Sequence, residues 1–503
     1  MSAKSSDVPQ KLVPLVPHEG SGGPGKHGAE QFGALLPETN RALLRRLAIG
    51  QADGRAPSLT GAVIRGGEVA WAGSCGATAD ATDGGVTDGS AADGSSAGGV
   101  DVQYRIGSIT KTFVAVLVLR LRDEGLLTLE DPLDKHVPGS ATPEVTIAQL
   151  LSHSSGLSAE ARGPWWERTP GTLRQGPGDL FEGDPRRLPA GRGFHYSNPG
   201  YALLGSLIEH LRDGQPWGEV LRREVLEPLG MNRTTLQPQA PHADGWAVHP
   251  WADVLLPEPA QDTGLMSPAG QLWSTAEDLG RWAGFLARGD DRVLSATTLS
   301  EMRTPAVPPE GAEWSAGFGL GLQLARWNGR LLFGHSGSMP GFLASLWIDA
   351  AEDVAGIALA NCTSGPAISA IAVDLAGIVA EREPRIPEPW RPLAGPLDED
   401  LLALTGPWYW GANPHVLRLG ADRALELSLM SGPGGRSSRF RAEPDGTWTG
   451  LDGYFTGERL RIVRTEDGSV SHLDVGTFVF TRGPYEPAEP VPGGVDQGGW
   501  RGR

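Results

Sequence analysis

A largely apolar run, Val114 to Leu121, continues the stretch Tyr104-Arg105-Ile106-Gly107-Ser108-Ile109-Thr110-Lys111-Thr112-Phe113. Such a run has almost no polar face, so it reads as a helix buried on all sides. Ser108, following Gly107, suits the N-cap. Ser108 and Lys111 are one helical turn apart, which brings amine and hydroxyl within reach on one face. A serine hydroxyl is a weak nucleophile until a base takes its proton, and a lysine forced into apolar surroundings can lose its charge and serve. A cap and a lysine snorkelling off a core helix would give the same spacing. Two facts favour chemistry. An ammonium in the first helical turn opposes the helix dipole. Of five lysines (Lys4, Lys11, Lys26, Lys111, Lys135), only Lys111 has a serine three residues before it.

Composition narrows the function classes. The chain has 503 residues, room for two or three domains. With 43 basic against 60 acidic residues, net −17, neither nucleic acid nor an anionic membrane surface is an expected partner. Two cysteines, Cys75 and Cys362, make no disulfide framework and lack metal-ligand spacing. The eleven histidines include no H-E-x-x-H pattern, so no metal is expected. Met1 to Gly20 has no apolar core, and no apolar run approaches a membrane span. The expected location is cytoplasmic.

Residues 1–36 read as a disordered leader, rich in Gly, Pro and Ser. Glu38–Ala48 reads as a helix, and Leu59–Ile64 with Glu68–Ala72 as a hairpin about Gly66-Gly67. Residues 76–99 are a low-complexity loop insertion. Its Gly94-Ser95-Ser96-Ala97-Gly98 matches G-x-S-x-G but lacks the strand and helix of a nucleophile elbow. Helices are expected over Ala202–Leu211 and Trp217–Leu226, the latter with Pro216 suited to its first turn. Ser274-Thr275-Ala276-Glu277 reads as a capping box for a helix to Ala287. Leu331–Phe333, Leu343–Ile348 and Val354–Ala360 read as strands, and Ala367–Ala380 as a helix. Residues 384–397 form a Pro-rich linker, 398–485 a small all-β domain, and 486–503 a disordered tail.

Two more motifs carry chemistry. Tyr196-Ser197-Asn198 precedes a helix: a phenol beside a cationic lysine has its pKa lowered and can relay protons, and an amide can orient the lysine and bind a substrate amide. Ser-Asn-Pro-Gly is also ordinary turn chemistry. In Gly334-His335-Ser336-Gly337-Ser338, the glycines let a substrate backbone approach a strand edge. The imidazole could donate to a carboxylate, and the Ser338 N–H could point into a site; a hairpin turn with an exposed histidine is the alternative. His153, in Leu150-Leu151-Ser152-His153-Ser154-Ser155-Gly156-Leu157, reads as structural, bonding local backbone near a helix end.

The ordered set Ser108-x-x-Lys111, Tyr196-x-Asn198 and His335-x-Gly337 resembles the serine β-lactamase and penicillin-binding family. It is similar to the class C β-lactamases, DD-carboxypeptidases, D-aminopeptidases and related esterases. Asp131-Pro132-Leu133, Tyr196-Ser197-Asn198-Pro199-Gly200-Tyr201 and Ser274-Thr275-Ala276-Glu277-Asp278-Leu279 agree, and the likeness spans roughly residues 40–383. It implies an α+β fold over 37–383, an antiparallel sheet flanked by helices beside a helical region, with the site between them. It also implies an acyl-enzyme on Ser108, acid–base work shared by Lys111 and Tyr196, and Asn198 holding Lys111 and the substrate amide. His335 and Gly337 would bind substrate, the N–H groups of Ser108 and Ser338 would form the oxyanion hole, and no cofactor would be needed.

One departure matters. β-Lactamases of this class carry Lys-Thr-Gly where this chain has His335-Ser336-Gly337, and no lysine follows Lys135. Histidine there resembles the DD-carboxypeptidase and D-aminopeptidase branches. The expected substrate is a small-molecule ester, amide or D-residue peptide, selected by Ser158–Phe194 with Trp165, Trp166 and Phe181. A partly protonated His335 would lose anionic substrates as pH rises through about 6 to 7.5. An acyltransferase, a weak β-lactamase and a non-catalytic ligand-binding descendant are the competing readings.

Overall fold

The computed structural model describes residues 34–76, 100–140, 142, 144–173, 176–307, 315–387, 389–396, 398–431 and 436–485. The expected leader up to residue 33, the insertion from residue 77 and the tail from 486 lie outside them. The chain divides into two compact units between Ile386 and Pro387.

The first unit is built on a seven-stranded antiparallel sheet. Its strands are β1 (Ser58–Arg65), β2 (Glu68–Gly76), β3 (Ala316–Phe318), β4 (Gln323–Trp327), β5 (Arg330–Met339), β6 (Phe342–Asp349) and β7 (Val354–Ala360), in spatial order β2-β1-β7-β6-β5-β4-β3. Every residue of β1 and β7 is buried, because helices cover both faces. One face packs on α1 (Pro37–Gly54) and α5 (Ile368–Arg382), where Leu43, Leu47, Val63, Ala358, Ile371, Leu375 and Val379 form one apolar cluster. The other face receives α4 (Ala276–Arg288) and, beyond it, the helical region containing α2 (Thr110–Asp123) and α3 (Asn198–Leu211).

Local chemistry sets the helix starts. Pro37 opens α1 where its missing N–H is no loss. The Ser197 hydroxyl caps α3 by accepting from Gly200 N at 3.2 Å. The box expected at Ser274 is shifted: Thr275 caps α4, accepting from Asp278 N at 3.1 Å, while Ser274 Oγ lies 2.8 Å from Thr234 Oγ1. A true capping box forms instead at Thr146 and Gln149. The expected helix Trp217–Leu226 passes into a π-turn at Arg222, and Pro216 is its N-cap and not in its first turn.

The second unit is an eight-stranded antiparallel meander: β8 (Gly406–Trp410), β9 (Asn413–Leu419), β10 (Leu425–Leu429), β11 (Ser438–Ala442), β12 (Trp448–Gly450), β13 (Arg459–Arg464), β14 (Val470–Val475) and β15 (Phe478–Phe480). Tyr409 and Thr481 exchange backbone bonds of 2.7 and 2.9 Å, so the first strand closes on the last and the meander is a small barrel. Trp408, Leu417, Leu427, Phe440, Phe455, Leu473 and Phe480 fill its interior. Among the described residues no helix is long and apolar enough to cross a membrane.

Candidate active site

The site forms where the start of α2 meets one edge of β5. Strand β4 pairs with β5 only as far as Gly334, opposite Gln323. Past that point Ser336 N donates to the Gln323 side chain at 3.0 Å, and the edge of β5 is left to the turn Gly107–Ile109. Two glycines permit the contact. Gly107 has φ +52°, and a Cβ there would lie 2.5 Å from Ser338 N. A Cβ on Gly337 would lie 2.0 Å from Ile106 O and 2.8 Å from Ser108 N. The backbone at Ser108 and the backbone at Ser338 are thereby brought into close approach. Gly337→Ala is expected to push this edge away and lower kcat/KM by about 100-fold, with a normal circular-dichroism spectrum. Full activity would show that the close approach has no role.

Ser108 does not cap the helix. It lies in a 3-10 turn, Ile109 is the N-cap residue of α2, and no side-chain cap forms there. The Ser108 hydroxyl is thus free for Lys111, whose Nζ donates to Ser108 Oγ at 2.8 Å. Lys111 is fully buried, and its second partner is Ala269 O at 2.6 Å. Burial lowers its pKa to about 7, against the opposing pull of the Glu160 and Glu167 carboxylates. The Nζ also sits 4.9 Å from the Tyr196 ring centroid.

Tyr196 reverses one expectation. The residue is half-buried, yet its pKa is raised well above the ordinary phenol value, because desolvation outweighs a hydrogen bond with Ser108. The group is a neutral phenol. Asn198 is at the site but does not hold Lys111: its Nδ2 donates to Glu160 Oε1 at 2.9 Å, and its buried Oδ1 has no partner among the described residues. The carbonyl of Ala269 takes the orienting role expected of the amide.

His335 is neither exposed nor protonated near neutral pH. It is 1% exposed, and burial, with the Lys111 charge adding, lowers its pKa to about 3. Its Nδ1 lies 2.5 Å from Ser336 O and so carries the proton. The buried Nε2 is left as an acceptor with no partner among the described residues. It therefore cannot supply the charged donor to a substrate carboxylate that the sequence suggested.

His153 is structural, but its partner is distant and not local. Its Nδ1 accepts from Ser197 N at 3.0 Å, and its ring packs 4.1 Å from that of Tyr196. In the segment Ser158–Phe194, Trp166 and Phe181 are buried, so Trp165 and Phe194 are the exposed aromatic groups. Sequence reasoning missed Glu160, Glu167 and the Ala269 carbonyl. Glu160 also accepts from Trp166 Nε1 at 2.7 Å, and Glu167 from Trp165 Nε1 at 2.7 Å. No local pattern marks either carboxylate, since both reach the site only through a loop fold. Among the described residues no three His, Cys, Asp or Glu side chains gather as a metal site.

A family model described as Beta-lactamase matches residues 41–380, and one described as a domain of unknown function (DUF7586) matches residues 397–482. Penicillin-binding protein 4 of Amycolatopsis lactamdurans is 28% identical over 61% of this chain and 84% of its own length. Penicillin-binding protein 4* of Bacillus subtilis (strain 168) is also 28% identical, over 48% of this chain and 56% of its own. Among solved structures, the octameric penicillin-binding protein homologue from Pyrococcus abyssi covers 88% of this chain and 99% of its own (TM-score 0.57, 22% identity), a likeness of fold. The D-amino acid amidase from Ochrobactrum anthropi SV3, in complex with L-phenylalanine, covers 68% and 96% (TM-score 0.52, 25% identity).

Proposed function

Since the chain belongs to the beta-lactamase family, we propose that it is a serine hydrolase whose substrates are amides or esters of D-amino acids bearing a free α-ammonium group. The contact that carries the hydrolase reading is Lys111 Nζ to Ser108 Oγ, 2.8 Å, with the lysine poised to be neutral near pH 7. Ser108 Oγ attacks the acyl carbon as its proton passes to Lys111 Nζ. The oxyanion accepts hydrogen bonds from Ser108 N and Ser338 N. Tyr196, a neutral phenol, donates a proton to the departing amine or alkoxide and recovers one from Lys111. Water then cleaves the acyl-enzyme by the reverse proton path, returning Ser108 and a free carboxylic acid.

Electrostatics support the ammonium. The residue where a β-lactamase has lysine is a neutral imidazole with an acceptor nitrogen, and the carboxylates of Glu160 and Glu167 act on Lys111. A substrate carboxylate meets no fixed positive charge at His335, whereas an ammonium group is attracted by the two carboxylates. The D-configuration rests on the likeness to the D-amino acid amidase.

The test compares D-alanine p-nitroanilide, its N-acetyl derivative and nitrocefin. The free amine is expected to be cleaved at least tenfold faster in kcat/KM than the acetylated compound, with nitrocefin slowest. Glu160→Gln should erode the preference for the free amine while leaving p-nitrophenyl acetate hydrolysis within a fewfold. Equal rates for the free and acetylated anilides would overturn the ammonium reading and leave the serine hydrolase intact.

A further inference from the structure

The barrel of the second unit has an open end whose chemistry differs from its filled interior. In an antiparallel barrel alternate residues of each strand point inward. Trp408, Leu417, Leu427 and Phe480 are inward and buried. Further along the same strands, towards one rim, the inward positions are Trp410, Asn413, Leu429 and Phe478. Pairing of Trp410 with Asn413 and of Val475 with Phe478 places both pairs at strand ends. His415, opposite Trp408, forms the floor with its Nδ1 3.2 Å from Asn413 O. Trp410, Asn413, His415, Leu429 and Arg436 line a cavity of about 290 Å³ here.

Among the described lining residues Arg436 is the only one with a fixed charge. Its guanidinium lies 4.4 Å from the ring centroid of Trp410, 4.7 Å from Phe478 and 5.3 Å from Tyr454. Among the described residues it has no carboxylate or carbonyl partner. The barrel's other arginines do: Arg439 pairs with Asp422, Arg441 with Glu443, Arg459 with Asp445, and Arg464 with Asp400. Arg418 and Arg461 pair with Glu426 and Asp474, and Arg423 and Arg482 donate to backbone carbonyls. In a chain of net charge −17, one guanidinium held by aromatic faces alone leaves its N–H edge for an anion.

We propose that this barrel mouth binds a compact aromatic carboxylate, its ring against Trp410 and Leu429 and its carboxylate on Arg436. The mouth of a barrel is a usual place for a small ligand, and this volume suits a fused bicyclic acid. A long acyl chain is excluded by Trp408, Phe440, Phe455 and Phe480, which fill the space below.

The experiment titrates the full chain with 2-naphthoate and, separately, with uncharged 2-naphthamide, by calorimetry. Naphthoate should bind at least tenfold more tightly than naphthamide, and added salt should weaken naphthoate alone. Arg436→Gln should abolish the difference between probes, and Trp410→Ala should weaken both. Hydrolytic activity should be unchanged in Arg436→Gln, and an unaltered circular-dichroism spectrum and thermal unfolding profile of the variant report that the barrel is folded. Arg436→Lys keeps the charge without the planar edge and should retain part of the preference. Equal affinity for the two probes overturns the proposal. So does naphthoate binding that survives unaltered in both Arg436→Gln and Trp410→Ala, since the acid would then be held elsewhere.

Discussion

Ser108→Ala is expected to abolish turnover of every ester and amide substrate, by about four to six orders of magnitude in kcat. Labelling by a fluorophosphonate should vanish with it. The variant should fold normally, because Ser108 provides no helix cap and is not part of the core. Mass mapping of the adduct on the unaltered protein should find a single modified peptide containing Ser108. An adduct on Ser336 or Ser338, which lie on the neighbouring strand edge, would move the nucleophile to β5 and undo the proposed mechanism.

Lys111→Met is expected to cost about two to four orders of magnitude in kcat/KM, the usual weight of a positioned base. In the unaltered protein kcat/KM should climb as pH rises through about 7, since the neutral amine is the active form. No opposing fall from His335 should appear between pH 6 and 7.5, because that imidazole is already neutral there. The same burial has a thermodynamic consequence with a definite sign. The lysine is protonated in the unfolded chain up to about pH 10.5 but in the fold only up to about 7. Its charge therefore penalises the fold fully below pH 7, and the penalty fades as pH rises towards 10.5. A shift of that size corresponds to several kcal/mol, on the order of 1.4 kcal/mol per pH unit. The stability of Lys111→Met relative to the unaltered chain should accordingly be greatest below pH 7 and decline by about that amount towards pH 10. Removing the ammonium also leaves Ala269 O without its donor, which lowers the variant equally at every pH. Denaturant titrations of both proteins from pH 6 to 10 measure the difference; a gap that does not change with pH would mean that Lys111 is not held neutral.

Features that depend on near neighbours in the chain were open to reading from residues alone. The meeting of Ser108 and Lys111 needs only one helical turn, and the burial of α2 follows from its largely apolar run from Phe113 to Leu121. The strands at Leu343–Ile348 and Val354–Ala360 were equally plain, since a run of apolar residues between turn signals has few other fates. Even local readings slipped where neighbours competed. Thr275 displaced Ser274 as the cap, and the 3-10 turn at Gly107 took Ser108 out of the expected cap position.

By itself the sequence determined the meeting of Ser108 with Lys111, the sheet with its covering helices, and the separate β-rich unit. All of these rest on spacing, pattern and motif order within short stretches. Only the tertiary structure decided the ionisation of the site. Whether a histidine is charged depends on what surrounds it, and nothing near position 335 in the chain announces that Lys111 and a desolvating pocket will. The same holds for Tyr196, raised and not lowered, and for Asn198, which turns to Glu160 from 38 residues away. It holds too for Ala269 O, brought to Lys111 across 158 residues, and for the bond between Tyr409 and Thr481 that closes the barrel. Desolvation and Coulomb fields are sums over atoms that folding brings together, so they have no counterpart in the order of residues along the chain.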